Sequence, residues 1–189
     1  MSDSTWPTPD GERLAEVNPA ATVTALRFTD DGTIPNHPRL PLLVYHGALK
    51  LSGADPAAIV ERVFAVNRWG DSWRDGIYPF HHYHSITHEA LGVFRGSAVV
   101  RFGGERGQTL KVAPGDVVII PAGVGHKNLG ASHDFSVVGA YPDGRDLDLK
   151  HGRAEERPAA DAAILRVPLP SADPVYGAGG PLFSYWQGG

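Results

Sequence analysis

The chain has 189 residues, no cysteine, and a formal charge of −4 from 17 Lys and Arg against 21 Asp and Glu. These figures exclude a disulfide framework, a thiolate metal site and a cysteine nucleophile, and the acidic balance lacks the basic footprint of a nucleic-acid binder. No apolar run approaches the roughly 20 residues of a membrane span and Met1 to Leu14 holds no apolar signal segment, so a cytoplasmic protein without a membrane partner is expected.

Residues 1–20, with Pro7, Pro9, Gly11 and Pro19, read as a loosely ordered segment. Residues 21–29 read as a strand with Thr24, Leu26 and Phe28 on one side, and a second apolar run covers Leu42 to Tyr45. Asp55 is a capping residue and Pro56 suits a first helical position. Ile59, Val60, Val63, Phe64 and Val66 then recur at helical spacing, which predicts a scaffold helix near 56–67.

From Gly76 to Tyr141 the texture changes to short strands at 90–94, 97–102, 108–112, 116–120 and 135–140, separated by Gly and Pro turns. That spacing points to a β-sandwich or barrel, so residues 21–141 read as one domain. Residues 142–189 are rich in Pro and Gly but carry Ile164, Leu165, Val167, Tyr185 and Trp186. They read as an extended C-terminal arm packed on the barrel or on a partner subunit.

His81, His82, His84 and His88 lie within eight residues, followed directly by Glu89. A polar surface strand is one reading. The other is chemical. Residues two apart in a strand share a face, so His82 and His84 project together and Tyr83 away from them. Glu89 lies past a short turn and can swing back, or His88 can take its place in another register. Two imidazoles and a carboxylate form a facial set that suits Fe(II), Mn(II), Ni(II) or Zn(II) and leaves positions open. His126 stands alone after the turn Pro121-Ala122-Gly123-Val124-Gly125, where a turn histidine is the simpler reading.

Together the two stretches resemble the cupin superfamily. Gly76, His82, His84, Glu89 and Gly96 meet every fixed position of its first motif, G-x5-H-x-H-x(3,4)-E-x6-G. Gly115, Pro121, Gly123 and His126 meet its second, G-x5-P-x-G-x2-H-x3-N, except that Gly130 stands at the final Asn. The resemblance implies an all-β fold, a double-stranded β-helix or jelly roll, with one or a few short flanking helices. It also implies His82, His84, Glu89 and His126 as ligands of one divalent Fe, Mn, Ni, Zn or Cu ion. His81-His82-Tyr83-His84, Thr87-His88-Glu89, Val124-Gly125-His126-Lys127-Asn128, Val138-Gly139-Ala140-Tyr141-Pro142-Asp143-Gly144 and Pro174-Val175-Tyr176-Gly177 look more narrowly like the YjlB-like branch of bacterial cupins.

Around the expected ligands, Tyr78, Arg101 and Asn128 are candidates to orient a substrate, as is Arg74. His81 and His88 are expected at the surface or rim, or hydrogen-bonded to a ligating group. The resemblance implies a mononuclear metalloenzyme acting on a small polar molecule, with dioxygenase-type oxidation first. The alternatives are Lewis-acid isomerase, lyase or decarboxylase chemistry, and a non-catalytic ligand-binding barrel. The sheet edges of such a barrel suggest a homodimer.

Overall fold

The structure is a computed structural model that describes residues 14–187. Most of the segment expected to be loosely ordered, residues 1–13, lies outside the described residues. The strands are β1 (Thr22–Leu26), β2 (Leu42–His46), β3 (Trp69–Asp75), β4 (Glu89–Arg95), β5 (Ala98–Phe102), β6 (Gln108–Val112), β7 (Val117–Ile120), β8 (His126–Ala131) and β9 (Ser136–Pro142). They form two antiparallel sheets, ordered β1-β2-β7-β4-β9-β3 and β6-β5-β8. The fold is the jelly-roll barrel that the motifs imply.

Both faces of the six-stranded sheet are covered, which is why β2 and β7 are unbroken apolar runs rather than alternating ones. Leu42, Val44, Val118, Ile120, Leu91 and Val93 face the barrel interior and meet Val100 and Phe102 of the smaller sheet. Their neighbours Leu43, Tyr45, Val117 and Ile119 face outward under helix α1 (Pro56–Val66). Asp55 caps α1 by accepting from the Ala58 N–H, and Pro56 opens it. The helix lies so close to β4 that a side chain on Gly92 would meet Val60 at 2.4 Å and Phe64 at 3.1 Å.

Three local readings change. Trp69–Asp75, just past the expected end of the helix and without a predicted strand, is a strand, β3, pairing β9 across a bulge. His126, read as following a turn, opens strand β8. The C-terminal arm is not wholly extended. It contains a 3-10 turn (Ala154–Glu156) and two short helices, α2 (Ala159–Ile164) and α3 (Pro181–Trp186). It packs on its own barrel. The Trp69 indole N–H donates to the Ala172 carbonyl (2.9 Å), the Tyr45 hydroxyl to Asp173 (2.6 Å), and the Trp186 indole N–H to the Pro41 carbonyl (2.9 Å).

Candidate metal centre

Backbone pairing places the histidines. His82 exchanges hydrogen bonds with His126 at 3.2 and 3.0 Å, and Tyr83 exchanges them with Lys150 at 3.0 Å. The segment is therefore extended, and its side chains alternate as expected. Tyr83 enters a separate apolar cluster with Ile34 and Ile164, while His82 and His84 face a cavity of about 320 Å³. Glu89, the first residue of β4, pairs in register with Ile120 of β7, and its carboxylate enters the same cavity.

Three ligand atoms converge there. Glu89 Oε2 lies 3.4 Å from His84 Nε2 and 3.3 Å from His126 Nε2. The His84, Glu89 and His126 side chains are all buried, and their ligand atoms lie within 4.8 Å of one another. Glu89 Oε2 is buried without a hydrogen bond. Ligands bound at right angles ~2.1 Å from one ion stand about 3 Å apart, so this spacing fits a shared cation. His82 stands outside that tight set but against it, its ring centroid 3.9 Å from that of His126.

The imidazoles share an orientation. Nδ1 of His82 lies 3.1 Å from the Phe80 carbonyl and that of His126 lies 3.4 Å from the Val124 carbonyl. His84 Nδ1 bonds the Asp148 carbonyl. A proton on each Nδ1 leaves the Nε2 lone pair for an ion, the outer hydrogen bond that fixes a ligating tautomer. Burial, with His126 beside it, pushes His82 down to about 3, so it is neutral. Burial opposes a charge on His84, yet Glu89 outweighs it and raises that group. Burial alone would raise Glu89, but His84 and His126 hold it well below the usual carboxylate range.

Residues that sequence reasoning missed hold the carboxylate. The Tyr141 hydroxyl donates to Glu89 Oε1 (3.2 Å) and accepts from the Trp73 indole N–H (2.8 Å). Trp73 reaches it by lying over Gly139, where a Cβ would stand 2.2 Å from the indole. Asp148 supports the opposite side, accepting from the Ser85 N–H at 2.7 Å. The order of residues carries no signal for Tyr141, 52 positions from its partner.

Other expected residues fall in different places. Tyr78 lines the cavity mouth. Arg74 also borders it, but its guanidinium is committed to Glu61 and Asp55. Arg101 and Asn128 do not line the cavity. Arg101 pairs with Glu105 (2.6 Å), and Asn128 accepts from the Gly130 N–H (2.8 Å). His81 lies outside the lining, with Nε2 3.1 Å from Glu105. His88 is at neither surface nor rim. It is fully buried, accepts the Ala122 N–H on Nδ1 (3.0 Å) and packs on Trp186. It thus holds the turn that leads to His126.

No family profile matches the sequence. The protein YjlB of Bacillus subtilis (strain 168) is 48% identical over 159 residues, covering 84% of this chain and 93% of that one. A cupin 2 domain-containing protein from Halorhodospira halophila is 16% identical, with 79% of this chain and 83% of that chain covered and a TM-score of 0.33. A vicilin from Solanum melongena is 23% identical over 41% of this chain, which spans only 24% of that protein, with a TM-score of 0.30. At such TM-scores the two structural likenesses bear on neither site nor function.

Proposed function

The chain belongs to the YjlB-like branch of the cupin superfamily, and on that premise we propose that it is a mononuclear metalloenzyme. One divalent transition-metal ion is held by His84, Glu89 and His126, with His82 as fourth ligand, for dioxygenase-type oxidation of a small molecule. The observation that supports this most is the buried Oε2 of Glu89, without a hydrogen bond and facing two imidazole Nε2 atoms at 3.3 and 3.4 Å. A bound ion would supply Lewis acidity and, if redox-active, electrons for dioxygen. Tyr141 and Trp73 fix the carboxylate, while Ile77 and Leu91 keep the cavity apolar.

Lewis-acid isomerase, lyase or decarboxylase chemistry at the same ion is the runner-up. Its isomerase form needs a positioned base besides the ligands. Among the described lining residues the one further carboxylate is Asp75, which is exposed and accepts from the Gly76 N–H. Burial and the neighbouring Glu89 raise Tyr141 far above its ordinary 10, so it serves as a fixed donor.

Elemental analysis of untagged protein should find one ion per chain, and less than about 0.2 per chain after reconstitution would sink the metal reading. His84→Ala should abolish binding and His81→Ala should spare it. Oxygen uptake over a panel of thiols, diketones and hydroxylated aromatics tests the oxidation, and silence there with carbonyl isomerisation would replace it by the runner-up. We further propose a homodimer, supported by β1 standing at the end of the six-stranded sheet. A monomer mass in light scattering would overturn it.

A further inference from the structure

We infer that the site takes a ring compound that is neutral or carries a single negative charge at its metal-binding end, rather than a dicarboxylate or a phosphate ester. The inference rests on the metal reading above and concerns the part of the cavity beyond the ligands. That part is lined by Trp73, Ile77, Tyr78, Leu91, Leu147 and Leu149. The family resemblance implies a small polar substrate, but these walls are predominantly apolar.

Charge arithmetic points the same way. Three neutral imidazoles, one carboxylate and a divalent ion sum to +1, which a singly charged chelating group neutralises. A second negative charge would sit uncompensated among apolar side chains, at a cost in desolvation. Arg74 is the single cation among the described lining residues. Its Nε and Nη2 donate to Glu61 at 2.6 and 2.7 Å, and its Nη1 to Asp55 at 3.0 Å. Arg101 and Lys127 are tied to Glu105 outside the lining. No free countercharge among the described lining residues meets the far end of a dianion.

The mouth supplies the ring's surface. Tyr78 is 49% exposed and stacks on Phe80 with centroids 4.9 Å apart and planes within 13°. The Tyr78 ring stands edge-on to His82 at 5.1 Å. Leu147 and Leu149 are also exposed at this opening. Exposed large apolar side chains gathered at one opening mark a binding surface, and aromatic faces favour a flat ring. A cavity of about 320 Å³ is at the small end for ligand sites, fitting one ring system.

The test holds the metal-binding group constant. Protein reconstituted with zinc, its zinc content measured first, is titrated by calorimetry with acetohydroxamic, benzohydroxamic and 4-carboxybenzohydroxamic acids. Benzohydroxamate should bind about tenfold more tightly than acetohydroxamate, and the added carboxylate should remove that gain. Tyr78→Ala should shrink the benzohydroxamate advantage over acetohydroxamate several-fold. Equal affinities for the first two, or tightest binding of the carboxylated compound, would overturn the ring inference while leaving the metal reading intact. A protein that retains no zinc overturns both.

Discussion

Tyr141 shows how a single hydroxyl defines the centre. It occupies Glu89 Oε1, so Oε2 alone faces the imidazoles. Tyr141→Phe keeps the ring and the barrel but removes both the donor to Glu89 and the acceptor of the Trp73 indole N–H. Metal affinity should fall about 10- to 100-fold, as measured by competition with a chromophoric chelator, with at most a modest drop in melting temperature from the unpaired indole. An unchanged affinity would mean that the hydroxyl does not hold the carboxylate. The four proposed ligands are legible in the sequence because three lie within eight residues and the fourth follows a Gly–Pro signature. Tyr141 and Asp148 are not, since each reaches the site through the fold and neither residue type is diagnostic. His81 and His88 look alike in the sequence, where both flank ligands. Three-dimensional burial separates them: one stands beside Glu105, the other under Trp186.

Among the elements, β3 does the most to shape the site and was the least legible. Its Gly70, Asp71 and Ser72 break any apolar pattern, and a bulge between Gly70 and Trp73 interrupts its pairing with β9. Helices α2 and α3 have six residues each, too few to show a periodicity. Helix α1 was legible because eleven residues and a Pro-opened cap carry both signals. β3 places Trp73 over Gly139 of β9, and this close approach gives the second prediction. Gly139→Ala puts a methyl into the indole, costing ~1–3 kcal/mol of stability by overpacking and moving the Nε1 donor away from Tyr141. Thermal melting and metal affinity should therefore fall together. Gly130→Ala on β8, where a Cβ meets nothing within 4 Å, is the control and should leave both nearly unchanged. Loss of stability without loss of affinity in Gly139→Ala would detach Trp73 from the site.

At the scale of the molecule, the chain closes over its own barrel, and two buried histidines lie in the seam. His37 accepts the Leu40 N–H on Nδ1 at 2.9 Å, and His88 accepts the Ala122 N–H. Their rings are 6.4 Å apart, and His88 packs on Trp186 of α3 at 4.8 Å. Protonating either ring would place a charge in the core and remove the ring nitrogen that accepts a backbone N–H. Burial pushes His37 down to about 4 and His88 to about 3, from an ordinary 6.5. The sign follows. A histidine with a lowered folded value is neutral when folded and binds a proton on unfolding, so its contribution is complete above pH 6.5 and is lost as pH falls toward 3–4. Each such group contributes up to ~1.4 kcal/mol per pH unit in that window. His82, also lowered, adds to the slope in metal-free protein. His84, whose value is raised, gives up its share above 6.5 and leaves this window unaffected. Urea unfolding of chelator-treated protein between pH 6 and 5 should then lose more than ~1.4 kcal/mol of stability, the effect of one histidine alone. His88→Gln should make the profile shallower by about one such step, because glutamine can accept the same N–H without titrating. A profile flat across that range would mean that these rings are protonated without strain, and that the seam beneath α3 opens to water well before the barrel does.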